Sequence, residues 1–163
     1  MARKVFFSFH YKPDNWRAAQ VRSIGSIEGN KPATDNEWED VTEGGVDAIE
    51  RWINNQLSGK SCAVILVGAN TAGRKWIKYE IIKAWNDGRG VVGVRIHNLH
   101  NSNGEKSSYG SNPFEDLKVD GTNMANIVKL YNPSGSTSKE VYSSIADNIA
   151  DWIDEAVSIR AGY

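Results

Sequence analysis

Trp76 and Glu80 stand four residues apart in the stretch Ser61–Gly88, SCAVILVGANTAGRKWIKYEIIKAWNDG. Four residues is about one helical turn, so on a helix the carboxylate stands beside the indole. A carboxylate can stabilise a developing positive charge, and an indole can hold a flat ligand. The pair follows a short apolar run, Ala63–Val67, and a small-residue loop, Gly68-Ala69-Asn70-Thr71-Ala72-Gly73. A strand, a loop and a helix carrying an acid and an aromatic make an active-site corner of the kind found at the carboxyl ends of strands in open α/β sheets. The ordinary alternative is a solvated helical glutamate paired with Arg74, Lys75 or Lys83. The loop also imitates a phosphate-binding P-loop, with Gly68 and Gly73 enclosing four residues. It lacks the Lys-Ser/Thr that would follow, since Arg74-Lys75-Trp76 come next, so nucleotide triphosphate hydrolysis is not expected.

The elements that must position this corner are legible to different degrees. Ala63–Val67 is β-branched and too short for a helix, so it reads as a strand buried on both faces. The helix after the loop presents Ile77, Ile81, Ala84 and Trp85 on one face, with Trp76 and Glu80 on another. Lys4–Phe9 is the first strand, and Ser8 to Pro13 leaves its carboxyl end. Pro13 marks a turn, and Asp14 or Asn15 caps a helix from about Trp16 to Ile24. Gly25–Gly45 is polar, with an acidic cluster at Glu37, Glu39 and Asp40; the second strand expected there is short, poor or missing. Val46–Leu57 is an amphipathic helix, and Gly90–Ile96 a buried strand whose Gly93 marks a close approach to the backbone.

His97–Asn123 is long, polar and without periodicity, and is expected to be mobile. Its His97 and His100 read as solvated loop histidines. No nearby Cys or third His completes a metal site, so none is expected. Ile127–Tyr131 is a last short strand, and Ser136 or Thr137 caps a final helix that buries Val141, Ile145, Ile149, Trp152, Ile153 and Ala156. Strands alternating with helices define an α/β protein: a central parallel sheet with helices on both faces, in the flavodoxin-like order 2-1-3-4-5. That order lays the carboxyl ends of the first and third strands side by side and brings Ser8, Phe9, His10 and Tyr11 against Gly68–Glu80.

The 163 residues fit one domain spanning 1–163. Hydrophobic residues make up 40% and charged ones 24%, which places the chain among globular proteins. A formal net charge of −1 with both signs scattered offers no stripe for nucleic acid. No run reaches membrane-spanning length, and no signal segment precedes the first strand. The single cysteine, Cys62, reads as an inert core thiol. A cytoplasmic protein without disulfides is the expectation.

Four stretches together, KVFFSFHYKPDNWRAAQVRS, VDAIERWINNQL, SCAVILVGANTAGRKWIKYEIIKAW and GVVGVRIH, resemble the TIR-like proteins of the Thoeris anti-phage defence system, relatives of Toll/interleukin-receptor domains. The resemblance spans roughly residues 3 to 157. It implies a flavodoxin-like TIR fold and an enzyme that cleaves NAD at its nicotinamide glycosidic bond, with NAD as substrate and no further cofactor. It implies a cyclised ADP-ribose signal that diffuses to a partner effector, and a phage-derived trigger. The family's catalytic glutamate, four residues after a tryptophan, falls on Glu80 with Trp76 before it. The family's pocket loop falls on Ser8, Phe9, His10 and Tyr11.

Two departures, the unrecognisable second strand and the long segment after Ile96, leave self-association into a homo-oligomer open. Ser8 either bonds a ribose or phosphate oxygen or is a strand-end serine bonded to backbone. Asn70 and Thr71 either present N–H groups to a phosphate at the helix N-terminus or serve as plain caps. A non-catalytic TIR-type module that binds a nucleotide or partner protein as a scaffold is the competing expectation. A response-regulator receiver is excluded, because Phe6-Phe7-Ser8-Phe9 stands where paired acids would be needed.

Overall fold

Two adjacent six-residue strands, every residue of both buried, form the centre of the molecule. The computed structural model describes residues 3–25, 27–29 and 42–163. Strand β1 is Lys4–Ser8, β2 Glu28–Gly29, β3 Cys62–Val67, β4 Gly90–Arg95, β5 Lys118–Val119, β6 Thr122–Asn123 and β7 Leu130–Tyr131. The helices are α1 (Tyr11–Arg22), α2 (Gly45–Leu57), α3 (Lys75–Asn86) and α4 (Ser138–Ala161). The main sheet runs β2-β1-β3-β4-β7 with every pair parallel. Counting only its own strands, that is the order 2-1-3-4-5 of a flavodoxin-like TIR fold.

Strand side chains alternate between faces, and here each face has its own core. Val5, Phe7, Val64, Leu66, Val92 and Val94 point towards α1 and α4, where Ala18, Val21, Val141, Ile145 and Ile149 meet them. Phe6, Ala63, Ile65, Val67 and Val91 point to the other side, against Ile49, Ile53 and Leu57 of α2 and Ile77, Ile81 and Ala84 of α3. Each large side chain fully buried this way contributes about 1.5–3 kcal/mol relative to exposure. A continuous apolar strand is therefore what a sheet covered on both faces requires.

The expected boundaries hold closely for β1, α2, β3, α3 and β4 and shift elsewhere. Helix α1 begins at Tyr11, not near Trp16. Pro13 lies in its first turn, where the missing N–H has no intrahelical partner to lose. Asp14 is accordingly inside the helix, not its cap, and is buried in an ion pair with Arg17. The second strand exists as two residues, with Lys4 opposite Glu28 and Val5 opposite Gly29. Glu37, Glu39 and Asp40 lie outside the described residues. Strand β7 keeps only Leu130 and Tyr131, because Ile127 and Val128 donate their N–H groups to the Met124 carbonyl and close the 3₁₀ turn at Met124–Asn126. Thr137 caps α4 by accepting from the Glu140 N–H at 3.2 Å.

The largest departure concerns residues 97–123, a mostly exposed segment that is anchored in both cores by single side chains. Leu99 joins the core under α1 and α4, and Phe114 the core under α2 and α3, each with no exposed surface. Phe114 and Leu130 press on Gly93, where an added Cβ would lie 3.0 and 2.7 Å from them. Strands β5 and β6 pair antiparallel around Asp120 and Gly121, both at positive φ. The Asp-Gly step is the local signal for such a turn. His97 is buried against the Tyr109 ring, correcting its expected solvated position.

Candidate active site

The carboxyl ends of β1 and β3 open into a cleft of about 930 Å³. Register places Ser8 beside Ile65, so the turn into α1 faces the loop after β3. Phe9, His10 and Tyr11 line the cleft from one side, and Asn70, Trp76 and Glu80 from the other. The rings of Phe9 and Tyr11 stack at 6.1 Å with 28° between planes. Trp76 is half-buried, meets Tyr79 edge-on at 5.6 Å and carries the Lys75 ammonium 5.0 Å above its ring.

Glu80 is buried, with 7% of its surface exposed. Its place on α3 explains why. Ile77, Glu80, Ile81, Ala84 and Trp85 share the buried stripe at spacings of three and four. The carboxylate therefore projects inward with the apolar side chains, and the separate face expected for it is corrected. The solvated reading is corrected with it: none of the described salt bridges includes Glu80, and Lys83 pairs instead with Asp87 at 3.2 Å. One Glu80 oxygen, Oε2, is enclosed without a hydrogen-bond partner. Burial pushes the carboxyl up to about 8 from an ordinary 4.5, and the neighbouring Ser8 hydroxyl pulls the other way. Ser8 Oγ lies close enough to favour the charged carboxylate without the alignment of a full hydrogen bond.

Two expected site residues do not reach the cleft surface. Ser8 is 1% exposed and touches the site through Glu80. Thr71 is fully buried, and its Oγ1 accepts from the Gly68 N–H at 2.8 Å, holding the loop in shape. His10 lies at the cleft with Nδ1 enclosed and unpartnered, and burial followed by the Arg74 charge holds its imidazole below the ordinary value. A neutral ring there offers both a donor and an acceptor.

Several lining residues had gone unread in the sequence. Lys12, Arg22, Arg74 and Lys75 also line the cleft, and Glu80 is the one carboxylate among the described lining residues. None of these four cations is in an ion pair among the described residues. Lys12 adjoins Tyr11 and Lys75 adjoins Trp76, residues already singled out, which was the available signal. Trp52 on α2 and Ser111, from the segment after β4, also line the cleft; nothing in the local sequence marks Ser111. Among the described residues no group of three His, Cys, Asp or Glu converges to hold a metal ion. Nor is any described helix long and apolar enough to cross a membrane.

A parallel sheet in this strand order, with an aromatic-lined corner and a buried glutamate one turn after a tryptophan, defines a protein of the TIR class. A family model described as "Thoeris protein ThsB, TIR-like domain" matches residues 6–101. A protein of Bacillus cereus (strain MSX-D12), named "Putative cyclic ADP-D-ribose synthase ThsB1", is 32% identical over 151 residues, which is 90% of this chain and 78% of the relative. The chain belongs to the ThsB TIR-like family of Thoeris proteins.

Proposed function

We propose that the chain consumes NAD, breaking its nicotinamide glycosidic bond and closing the remainder into a cyclic ADP-ribose-type signal for a Thoeris effector. The observation that carries this reading is Glu80: a buried carboxyl with an unpartnered oxygen, the one acid among the described residues that line a cleft of aromatic rings and cations. The name of the Bacillus cereus relative supports the same chemistry.

The ribosyl C1′–N bond breaks with its electron pair going to nicotinamide, which leaves as a neutral molecule from a cationic ring. No strong general acid is needed. The ribose becomes oxocarbenium-like, as in glycoside cleavage, and Glu80 stabilises that charge. Burial favours the protonated form of Glu80 before substrate enters. The positive nicotinamide ring favours loss of that proton as it enters. Trp76, Phe9 and Tyr11 hold the flat rings and exclude water, while Lys12, Arg22, Arg74 and Lys75 match a dianionic diphosphate. In a dry site an internal nucleophile of the same molecule bonds to the ribosyl carbon and sheds a proton, giving a cyclic product. Water at that carbon gives linear ADP-ribose instead.

The test is incubation of purified protein with NAD, with and without lysate of phage-infected cells, followed by detection of nicotinamide and chromatographic and mass analysis of the other product. Nicotinamide with a cyclic partner is expected. NAD binding without nicotinamide release under both conditions would overturn the enzyme reading in favour of a nucleotide-binding module.

A further inference from the structure

Residues 97–110 and the buried Asp14–Arg17 pair lie outside the cleft lining, and the chemistry above uses neither. Arg17 is 3% exposed and Asp14 1%. An ion pair so deeply buried stabilises little by itself, because desolvation offsets much of the attraction. Its geometry shows what it holds. Arg17 Nε donates to the Leu99 carbonyl at 2.8 Å and Nη2 to the Glu105 carbonyl at 2.9 Å, contacts made across more than eighty residues of chain. Its Nη1 donates to Asp14 Oδ1 at 3.0 Å and to the Pro13 carbonyl at 3.1 Å. One guanidinium thus ties the segment after β4 to the first turns of α1, the helix whose start lines the cleft.

From there two routes lead to the same loop. Asp14 lies hard against Gly68, so that a Cβ on Gly68 would run into its carboxylate. On the other route Arg95 Nη1 donates to the Gly110 carbonyl at 2.5 Å, with its guanidinium 3.7 Å above the Tyr109 ring. Gly110 in turn packs on the Gly68 and Ala69 backbone so closely that a Cβ there would strike the Gly68 carbonyl. Gly68 starts the loop whose Ala69 and Asn70 line the cleft, and Ser111 follows Gly110 into it.

We propose that Arg17, Asp14 and Gly110 are positioning residues of the cleft: the 97–111 segment, clamped by Arg17, is the back wall that fixes the 68–71 loop. None of the three touches the cleft surface, and Asp14 and Gly110 both press on Gly68 at the start of that loop. Its catalytic consequence rests on the NAD reading above, whereas the mechanical coupling does not. Displacing a substrate-positioning loop by about 1 Å costs on the order of 100-fold in rate.

The experiment compares wild type, Gly110→Ala and Arg17→Lys. The first adds one methyl group against the loop; the second keeps the charge but replaces a fork with a point donor. Hydrogen exchange of peptides covering 68–73 and 97–111 is measured beside thermal melting, nicotinamide release and the cyclic-to-linear product ratio. Faster exchange is expected in both segments of both variants. In folded Gly110→Ala, kcat/KM is expected to fall about 100-fold and the linear share of product to rise. Faster exchange in 97–111 alone overturns the clamp. So does lost activity with unchanged exchange at 68–73, because the effect would not run through the loop. If wild type releases no nicotinamide, the NAD reading fails, and exchange at 68–73 alone decides the coupling.

Discussion

The corner from Gly68 to Glu80 and the segment from His97 to Asn123 meet where Gly110 packs on Gly68, yet they are ordered by different physics. The corner is a fully buried strand, a glycine-bounded loop and a helix with a repeating apolar stripe. The segment has two paired two-residue strands, and is held by single long-range contacts: Arg17 to Leu99 and Glu105, Arg95 to Gly110, and Phe114 in the core. The regular part carries a feature that costs stability, the buried Glu80 carboxyl. The irregular part adds stability. Repetition is therefore no measure of how firmly a region is held, and the region with the costly buried carboxyl is the one proposed to do chemistry.

The sharpest test of that contrast is the pH dependence of stability. Glu80 titrates at about 8 when folded against an ordinary 4.5. Between those values the folded chain keeps a proton that the unfolded chain has lost, so wild-type stability falls as pH rises through that window. Below it both states are protonated and the penalty is absent. Glu80→Gln should remove the fall, gaining up to about 5 kcal/mol over wild type by pH 8 and far less at pH 5. Parallel melting curves at both pH values would show instead that Glu80 is solvated.

The irregular side is tested by Phe114→Ala, which should cost about 3–5 kcal/mol in denaturant unfolding, comparable with about 2–5 for Ile81→Ala in α3. A loss below about 1 kcal/mol would mean the segment is a detachable loop. A smaller effect is expected from Ser8→Ala. Its hydroxyl favours the ionised Glu80, so the rise of kcat/KM with pH should move to higher pH with KM for NAD nearly unchanged. A raised KM with an unmoved profile would place Ser8 on the substrate. The smallest effect is none: a chelator should leave nicotinamide release unchanged, and loss of activity restored by one equivalent of metal would contradict the expectation that no metal takes part.

What the sequence discloses follows the same division. Helices α2 and α3 and strands β3 and β4 repeat a spacing, so a short window of residues suffices to find them. Trp76, Asn70 and the Phe9–Tyr11 turn are brought to one cleft because strand order follows from alternating elements. The inward direction of Glu80 was also available, since it falls three residues after Ile77 and four before Ala84. The start of α1 was obscured by Pro13, a residue that interrupts helices everywhere except their first turn. The Asp120-Gly121 hairpin was marked locally. The clamp at Arg17 was not, because a bond to residue 99 or 105 leaves no trace in the residues around position 17. Nor could position alone show Thr71 turned into the interior to bond its own loop.

The central claim is that a single buried carboxylate carries the cleavage, and nicotinamide release by Glu80→Gln tests it most directly. Gln keeps the size and removes the charge that an oxocarbenium-like ribose needs. Losing one preorganised electrostatic group in a dry site costs on the order of 100- to 1,000-fold in rate. The matched control is Glu50→Gln, a half-buried position on α2 outside the cleft. It should retain wild-type activity and shift stability by less than about 0.5 kcal/mol. The account predicts that Glu80→Gln melts at or above the wild-type temperature while releasing at least about 100-fold less nicotinamide. A folded Glu80→Gln that cleaves NAD as fast as wild type would contradict it.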